Sequence, residues 1–160
     1  MAAHPAVEVL DALLELVGPA DADGVRYGTG QLAGVRVFDG PSLADLEDVD
    51  VLALGLGVDA VNAGLGQTRP GYGSDRTETF ELTGLAQNVS GDVDQAARRA
   101  RAFVLFDALR SLLVADPTVG GRCMRAYLAR WAYRPEQGPA GSSAVVTFAI
   151  RVDARRFEGD

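Results

Sequence analysis

The feature that constrains the fold most is a run of alternating residues near the end of the chain. Apolar side chains occupy every second position from 144 to 152, namely Ala144, Val146, Phe148, Ile150 and Val152. Successive side chains of a strand point to opposite faces, so this run predicts a strand with one buried face. Such a face must be covered by other elements, and the 160-residue chain, with 48% hydrophobic residues, has enough apolar material to do so.

Two segments with helical periodicity are candidates for that cover. Pro5 suits the first turn of the first helix, and Gly18-Pro19 ends it. Its apolar positions are Val7, Leu10, Leu14 and Val17. A cap at Asp92, with Gln95 three residues on, predicts a second helix that runs to about Ala115. Its apolar stripe consists of Phe103, Phe106, Leu109 and Leu113.

The remaining segments predict strands and their connections. Further strand patterns lie at residues 34–38, 51–56, 77–87 and 122–134. We expect a turn at 88–91, a hairpin loop at 135–143 and a frayed polar tail at 155–160. The order α-β-β-β-α-β-β predicts a single α+β domain over residues 1–160. Its mixed or antiparallel sheet has about four to five strands packed against two helices.

Residues 57–76 are rich in glycine and contain Pro70, which predicts a long Gly-rich loop. Just before it, residues 55–60 match the Gly-x-Gly-x-x-Ala form of a dinucleotide fingerprint, and Asp75 lies 20 residues past Gly55. That motif requires a helix to begin at once, so that backbone amides meet the pyrophosphate. The later glycines oppose such a helix, so a simple loop is favoured over a nucleotide site.

Residues for catalysis or metal binding are scarce. His4 is the one histidine and Cys123 the one cysteine, so the chain cannot form an internal disulfide or a closed zinc site. No catalytic triad is expected, since His4 lies near the chain terminus. Asp45, Glu47, Asp48 and Asp50 form an acidic stretch, for which a solvated connector is favoured over a weak cation site. We therefore expect no enzyme activity, no cofactor and no bound metal.

Charge is unevenly distributed along the chain. The net charge is −7, and all of the basic residues are arginines. Residues 1–80 hold 13 acids and 4 arginines, whereas residues 81–160 hold 9 acids and 11 arginines. The acidic first half argues against direct, sequence-specific nucleic-acid binding. The sequence also has no apolar run long enough to predict a membrane span and no basic leader that would predict secretion.

Aromatic residues and arginines interleave in the segment 122–134. Tyr127, Trp131 and Tyr133 are expected on one face of a strand. The interleaved arginines are Arg122, Arg125, Arg130 and Arg134. Three interpretations remain open: a stacking platform for nucleic acid, an aromatic core face with arginines at its edge, and a subunit interface. The acidity of the chain favours the core interpretation over the stacking platform.

The order of elements resembles the tail terminator family of long-tailed bacteriophages and phage-tail-like particles. The resemblance is carried by the opening helix 7–17, the segment Val35-Arg-Val-Phe-Asp-Gly-Pro41 with the acidic connector after it, and the strand Asp50-Val-Leu-Ala-Leu-Gly55. It continues through Glu78-Thr-Phe-Glu-Leu82, the long helix from Asp92 to Leu113 and the two final strands. The resemblance covers nearly the whole chain, but it rests on a pattern of elements and on no invariant motif.

This resemblance implies a structural role in the virion, at the junction of tail and neck. Subunits would assemble in the host bacterial cytoplasm into a homohexameric ring that caps the tail tube. The ring would stop tube polymerisation and provide the surface for joining the head. The implied partners are the chain itself, the tail tube protein and the head connector or neck protein. The implied mechanism is steric, so no catalytic residue and no cofactor carries over.

Two groups of residues are predicted to contact a neighbouring subunit or the tube. They are Arg69, Tyr72 and Arg76 in the Gly-rich loop, and Arg98, Arg99 and Arg101 on the second helix. The alternatives that involve no partner are a solvated surface loop and a solvated helix face. Two other functions stay open: another head–tail neck or tail-completion protein, and a small nucleotide-binding enzyme domain whose only support is the motif at 55–60.

Overall fold

In a computed structural model of the chain, residues 4–41, 49–61, 75–139 and 141–157 are described. Within them, two helices and a six-stranded sheet share one buried core. The elements are α1 Pro5–Val17, β1 Arg26–Tyr27, a 3-10 turn Gly30–Leu32, β2 Arg36–Asp39, β3 Asp50–Ala60, β4 Asp75–Ser90, α2 Gln95–Ala115, β5 Arg125–Gly138 and β6 Gly141–Phe157. The expected α+β class is therefore confirmed.

The strand count and the strand order differ from the expectation. The sheet has the order β1-β2-β3-β4-β6-β5, in which β2 and β3 are parallel and all other neighbours are antiparallel. The additional strand is β1, which has only two residues and pairs with β2. Two residues are too few to show an alternating pattern, so only the tertiary pairing reveals this strand.

Helix α1 forms where it was expected, but its buried face is rotated from the predicted one. Val7, placed in the predicted apolar stripe, is 52% exposed. The buried positions are Pro5, Ala6, Val9, Leu13, Leu14 and Val17. Apolar residues lie on more than one side of this helix, so spacing alone does not select the side that meets the sheet.

Strands β3 and β4 extend into the predicted Gly-rich loop from both ends. Val58, Asp59 and Ala60 pair with Leu82, Glu81 and Phe80, across a bulge between Leu54 and Gly57. The loop boundaries 57–76 were therefore wrong, and residues 62–74 lie outside the described part of the chain. The motif at 55–60 forms a strand and not the turn into a helix that a dinucleotide site requires.

Strands β5 and β6 likewise replace the predicted hairpin loop at 135–143. They pair as far as Gly138 and Gly141, and the strand pairing of β4 with β6 also continues through residues 88–90, where a turn was expected. Pro135 is tolerated because β5 is an edge strand. Residues 155–157 belong to β6 and do not form a frayed tail, whereas residues 158–160 lie outside the described residues.

The helix α2 covers the apolar face of β6, as its stripe predicts. All five alternating residues of β6 are buried, and so are Phe106, Leu109 and Leu113 of α2. The helix begins later than expected, because its cap is Asp94 and not Asp92. The Asp94 side chain accepts a hydrogen bond of 3.1 Å from the Ala97 N–H. Among the described residues, neither helix is long and apolar enough to cross a membrane.

Candidate interaction surface

The three residues predicted to make loop contacts lie wholly or partly outside the described residues. Arg69 and Tyr72 lie outside the described residues. Arg76 belongs to β4, where its backbone pairs with residue 156 of β6, but its side chain lies outside the description. The contact role of these three residues stays a prediction.

The three arginines predicted on α2 have different environments. The guanidinium of Arg101 donates from Nε and Nη2 to Oδ2 of Asp50, at 3.1 and 2.9 Å. The Nε of Arg98 is buried and has no hydrogen-bond partner among the described residues, while Arg99 is exposed. Arg101 is therefore engaged within its own subunit, which leaves Arg99 the most accessible of the three for a partner.

The ion pair of Arg101 fastens α2 to the beginning of β3. Asp50 Oδ1 also accepts a hydrogen bond of 2.5 Å from Nδ2 of Asn88, which is 2% exposed. The carboxylate of Asp50 thus receives donors from both sides, and a partly buried charge of this kind is stable only with such partners. This cluster ties together three elements that are distant in sequence.

His4 has a structural role at the beginning of α1. Its Nδ1 accepts a hydrogen bond of 3.1 Å from the Ala6 N–H and so caps the helix. Because Nδ1 is an acceptor, the proton of the neutral ring lies on Nε2, which is 3.4 Å from Oε2 of the buried Glu78. The described residues contain no group of three or more histidine, cysteine or acidic side chains placed to hold a metal ion.

Cys123 shows no sign of an activated thiol. Burial raises the pKa of the Cys123 thiol to about 11, although a backbone hydrogen bond acts in the opposite direction. Nucleophilic cysteines have a lowered pKa, so this sulfur remains protonated at neutral pH.

The pKa of the exposed Asp92 carboxyl is shifted in the opposite direction. Its pKa is lowered, mainly because the carboxyl accepts a hydrogen bond from the backbone N–H of Asp94.

A bulge in β5 divides the predicted aromatic face. The pairing with β6 shifts between Leu128 and Arg130, so Trp131 lies opposite Phe148, whereas Tyr127 lies opposite Arg151. Cross-strand partners share a face, so Tyr127 lies on the side away from the helices, and the expected single face was wrong. An extra residue at a bulge leaves no signature in the apolar pattern.

Trp131 and Tyr133 pack on the helix side of the sheet. The Trp131 ring centroid lies 5.4 Å from that of Phe103, at an interplanar angle of 89°, and the Tyr133 centroid lies 5.7 Å from the same ring. Trp131 nevertheless remains 56% exposed at the edge of the sheet. These contacts support the aromatic core interpretation for both residues, with part of the indole left accessible.

The arginines of β5 and of the turn before it line one edge of the sheet. Arg130 lies 3.6 Å from Glu81, a buried carboxylate that is also 3.6 Å from Arg151. Within the described part of the chain, Arg122, Arg125 and Arg134 form no ion pair, and all three are exposed. This edge therefore carries accessible positive charge.

The opposite edge of the sheet carries acidic residues. Strand β1 is the edge strand there, and the exposed Asp21 and Asp23 lie in the turn just before it. Residues 5–41, which include α1, β1 and β2, contain six acidic residues and two arginines. Residues 122–138, which include β5, contain four arginines and one glutamate. The uneven charge along the sequence thus corresponds to an acidic region and a basic region at opposite edges of the sheet.

No model of a known protein family matches this chain, and no curated protein matches it either. A function must therefore be inferred from the order of elements and from the surfaces described above.

Proposed function

We propose that this protein is a subunit of a six-fold ring that caps the tail tube of a long-tailed phage or phage-tail-like particle. In this role it stops tube polymerisation and presents a surface to the head connector, in the neck region of the virion. The proposal starts from the resemblance of the element order to tail terminator proteins. The sixfold number comes from that resemblance alone.

The observation that carries the proposal is the opposite charge of the two sheet edges. A closed ring generated by rotation joins two different surfaces of the same subunit, one on each side. Strands β1 and β5 are the two edges of the sheet, so the acidic and basic regions lie on opposite sides. Complementary charge on those sides favours a head-to-tail contact and opposes like-to-like pairing, which would produce a closed dimer.

A structural role is also consistent with the environments of Cys123 and His4. The thiol of Cys123 has a raised pKa. The imidazole of His4 accepts a hydrogen bond that caps α1, and its other nitrogen lies 3.4 Å from Glu78. The motif at 55–60, which was the only support for a nucleotide-binding enzyme, lies in strand β3. The ring mechanism is steric and requires none of these groups.

The direct test is a tube-growth assay with the tail tube protein of the same particle. Tubes are polymerised with and without the purified protein, and their length distribution is measured by negative-stain electron microscopy. We expect tubes to stop growing and to carry added density at one end. An unchanged length distribution with bare ends contradicts the proposal. Binding to the head connector with no effect on tubes would instead favour another neck protein.

A further inference from the structure

Strand β3 has a free edge beyond its bulge. Strand β2 pairs with β3 only before the bulge, so among the described residues no strand lies beside residues 57–61 on the side away from β4. The Val61 N–H donates to the Thr79 carbonyl at 2.9 Å, and hydrogen-bonded residues alternate along an antiparallel pair. The N–H and C=O groups of Val58 and Ala60 therefore point away from β4, toward the free edge.

This free edge has little of the protection that sheet edges normally carry. Proline, several charged side chains or a bulge within the edge oppose pairing with another strand. Residues 57–61 contain no proline, and Val58 and Val61 are 48% and 42% exposed. Asp59 is the one charged residue of the stretch; it is exposed and forms no ion pair with any residue that the structure describes. Such an edge is a template for a strand of another polypeptide.

The edge strand β5 has one open stretch of the same length. At its beginning, the Ala126 N–H donates to the Pro117 carbonyl, and the bulge described above follows. Further on, Pro135 has no N–H to donate. Between the bulge and this proline, residues 130–134 have no strand beside them on their outer side among the described residues. This stretch can therefore pair with a strand from outside.

Aromatic and basic side chains flank the open stretch of β5 on its two faces. A side-chain hydroxyl of β6 donates to the Ala132 carbonyl at 3.4 Å, so the backbone groups of Trp131 and Tyr133 point outward. Both aromatic side chains lie on the helix side of the sheet, whereas Arg130 and Arg134 lie on the opposite side. Arg134 is exposed and forms no ion pair within the described part of the chain.

The free edge of β3 has complementary side chains on the same two faces. Val58 shares the helix side with its cross-strand partner Leu82, and Asp59 shares the opposite side with Glu81. An apolar side chain of β3 therefore matches the aromatic ones of β5, and an acidic one matches the arginines. The antiparallel pairings β3–β4, β4–β6 and β6–β5 make β3 and β5 run in opposite directions. The two edges can thus join as an antiparallel pair.

We propose that residues 57–61 of one copy pair edge to edge with residues 130–134 of a second copy. Each copy uses its β3 edge on one side and its β5 edge on the other, so the contact repeats head to tail and closes a ring. Rotation about the ring axis keeps the helices of every copy on one side of the joined sheet. The inference rests on the proposed function, since it specifies the contact that closes this ring.

The register follows from matching the two five-residue stretches end to end. In that register Asp59 lies opposite Ala132, with Arg130 and Arg134 as its diagonal neighbours. Diagonal neighbours in a sheet lie about 7–8 Å apart, which a long side chain can span. The outward-pointing backbone groups of the two strands also face each other in this register, so they can form hydrogen bonds.

A charge exchange between Asp59 and Arg134 tests the side-chain part of the contact. Asp59→Arg and Arg134→Asp each place like charges against each other, so we expect each variant to weaken self-association and tube capping at least about tenfold. The chain that carries both substitutions has the pair reversed, and we expect it to recover most of the wild-type association.

Ala60→Pro tests the backbone part of the contact. The Ala60 N–H points to the free edge and is not needed for pairing with β4, so a proline at an edge position of this kind is tolerated by the fold. It removes one donor from the proposed pairing and places a ring in its path. We expect the variant to fold but to lose self-association at least about tenfold.

Arg155→Asp is the matched control for Arg134→Asp. It makes the same change of charge on an exposed residue of β6, a strand that takes no part in the proposed contact. The β6 partner of Arg134 is Val145, ten residues and hence about 33 Å from Arg155 along the strand. We expect this control to associate like the wild type. Self-association is measured by sedimentation velocity at low and high salt, capping by electron microscopy, and folding by circular dichroism.

The outcomes separate this inference from the proposed function. If the charge variants associate and cap tubes like the wild type, or if the double variant does not recover the loss, the edge pairing is refuted while the ring function stands. An Ala60→Pro chain that folds and associates normally also refutes it; if this variant unfolds, the charge exchange decides. A wild type that self-associates with the expected variant pattern but leaves tubes uncapped refutes the proposed function alone. A wild type that stays monomeric with and without tubes refutes both.

Discussion

The bulge at Gly55 gives a sharp test of the conclusion that the motif at 55–60 is a strand. Gly55 has φ of +70°, and a methyl group placed on its Cα would lie 2.8 Å from Cδ2 of Leu10. The left-handed backbone costs an alanine about 1–2 kcal/mol. The contact with α1 adds about 1 kcal/mol, since Leu10 must shift. We therefore expect Gly55→Ala to lower the free energy of unfolding by about 2–3 kcal/mol.

Gly57→Ala provides the matched control in the same motif. Gly57 has no positive φ, and the nearest atom to an added methyl group is Oγ1 of Thr83 at 3.0 Å, which is the end of a side chain. We expect its cost to stay below about 1 kcal/mol. Both variants are measured by urea unfolding followed by circular dichroism. In a thermal scan, Gly55→Ala should melt roughly 4–12 °C lower than the wild type.

A double-mutant cycle separates the two contributions to the Gly55 effect. Leu10→Ala removes the methyl groups that oppose the added side chain, so in that background the cost of Gly55→Ala should fall to about 1–2 kcal/mol. Equal losses of unfolding free energy for Gly55→Ala and Gly57→Ala would refute the bulge geometry.

The nucleotide-binding alternative has its own test. It would be supported if added nucleotide raised the melting temperature of the wild type and if Gly57→Val abolished that rise.

Four further predictions concern the core contacts and the thiol. Asp50→Asn removes the charge that binds Arg101, so urea unfolding should show a loss of about 1–3 kcal/mol, whereas no loss would mean that the pair is not formed. Trp131→Ala removes the edge contacts to Phe103 and should cost about 1–2 kcal/mol, measured by circular dichroism because the chain has no other tryptophan. Cys123 should react with iodoacetamide at pH 8 about a hundredfold more slowly in the folded than in the unfolded chain, since its pKa is about 11, and comparable rates would contradict its burial. Its thiol keeps its proton in the folded chain after the unfolded chain has lost it, so its contribution to stability should fall between about pH 9 and pH 11.

The elements with strict periodicity could be predicted from the sequence. The alternating residues of β6 lie on its buried face, and Leu109 and Leu113 of α2 pack against the sheet as their spacing indicates. In β6 the intervening positions 147, 151 and 153 are polar, which identifies the buried face. The buried face of α1 could not be chosen in this way, since Val7 and Val9 are equally apolar and only packing distinguishes them.

Segments that look like loops by composition were the main source of error. Glycines at 55 and 57 indicate a turn, yet pairing with β4 extends β3 through them. A bulge between Leu54 and Gly57 accommodates the residues that have no partner in β4. Pro135 and Gly138 indicate a loop, yet the long partner β6 holds them in an edge strand. In both cases the energy of cross-strand pairing overrides weak local preferences.

The interaction surface could be predicted only in outline. The excess of arginine in the second half of the chain indicated a basic region, but not which arginines are free. Arg101 is paired with a residue 51 positions away, whereas Arg99, two positions before it, is exposed. No spacing rule relates such positions, so only the tertiary structure shows which arginines are paired.

We propose that this chain forms the ring that ends a tail tube. The most direct measurement images tube ends by cryo-electron microscopy after incubation with the protein, and determines the mass of the assembly by native mass spectrometry. We expect a six-fold cap and a species of about 100 kDa, which corresponds to six copies of the 16.8 kDa chain. A protein that remains a 16.8 kDa monomer in the presence of tubes and leaves their ends bare would contradict it.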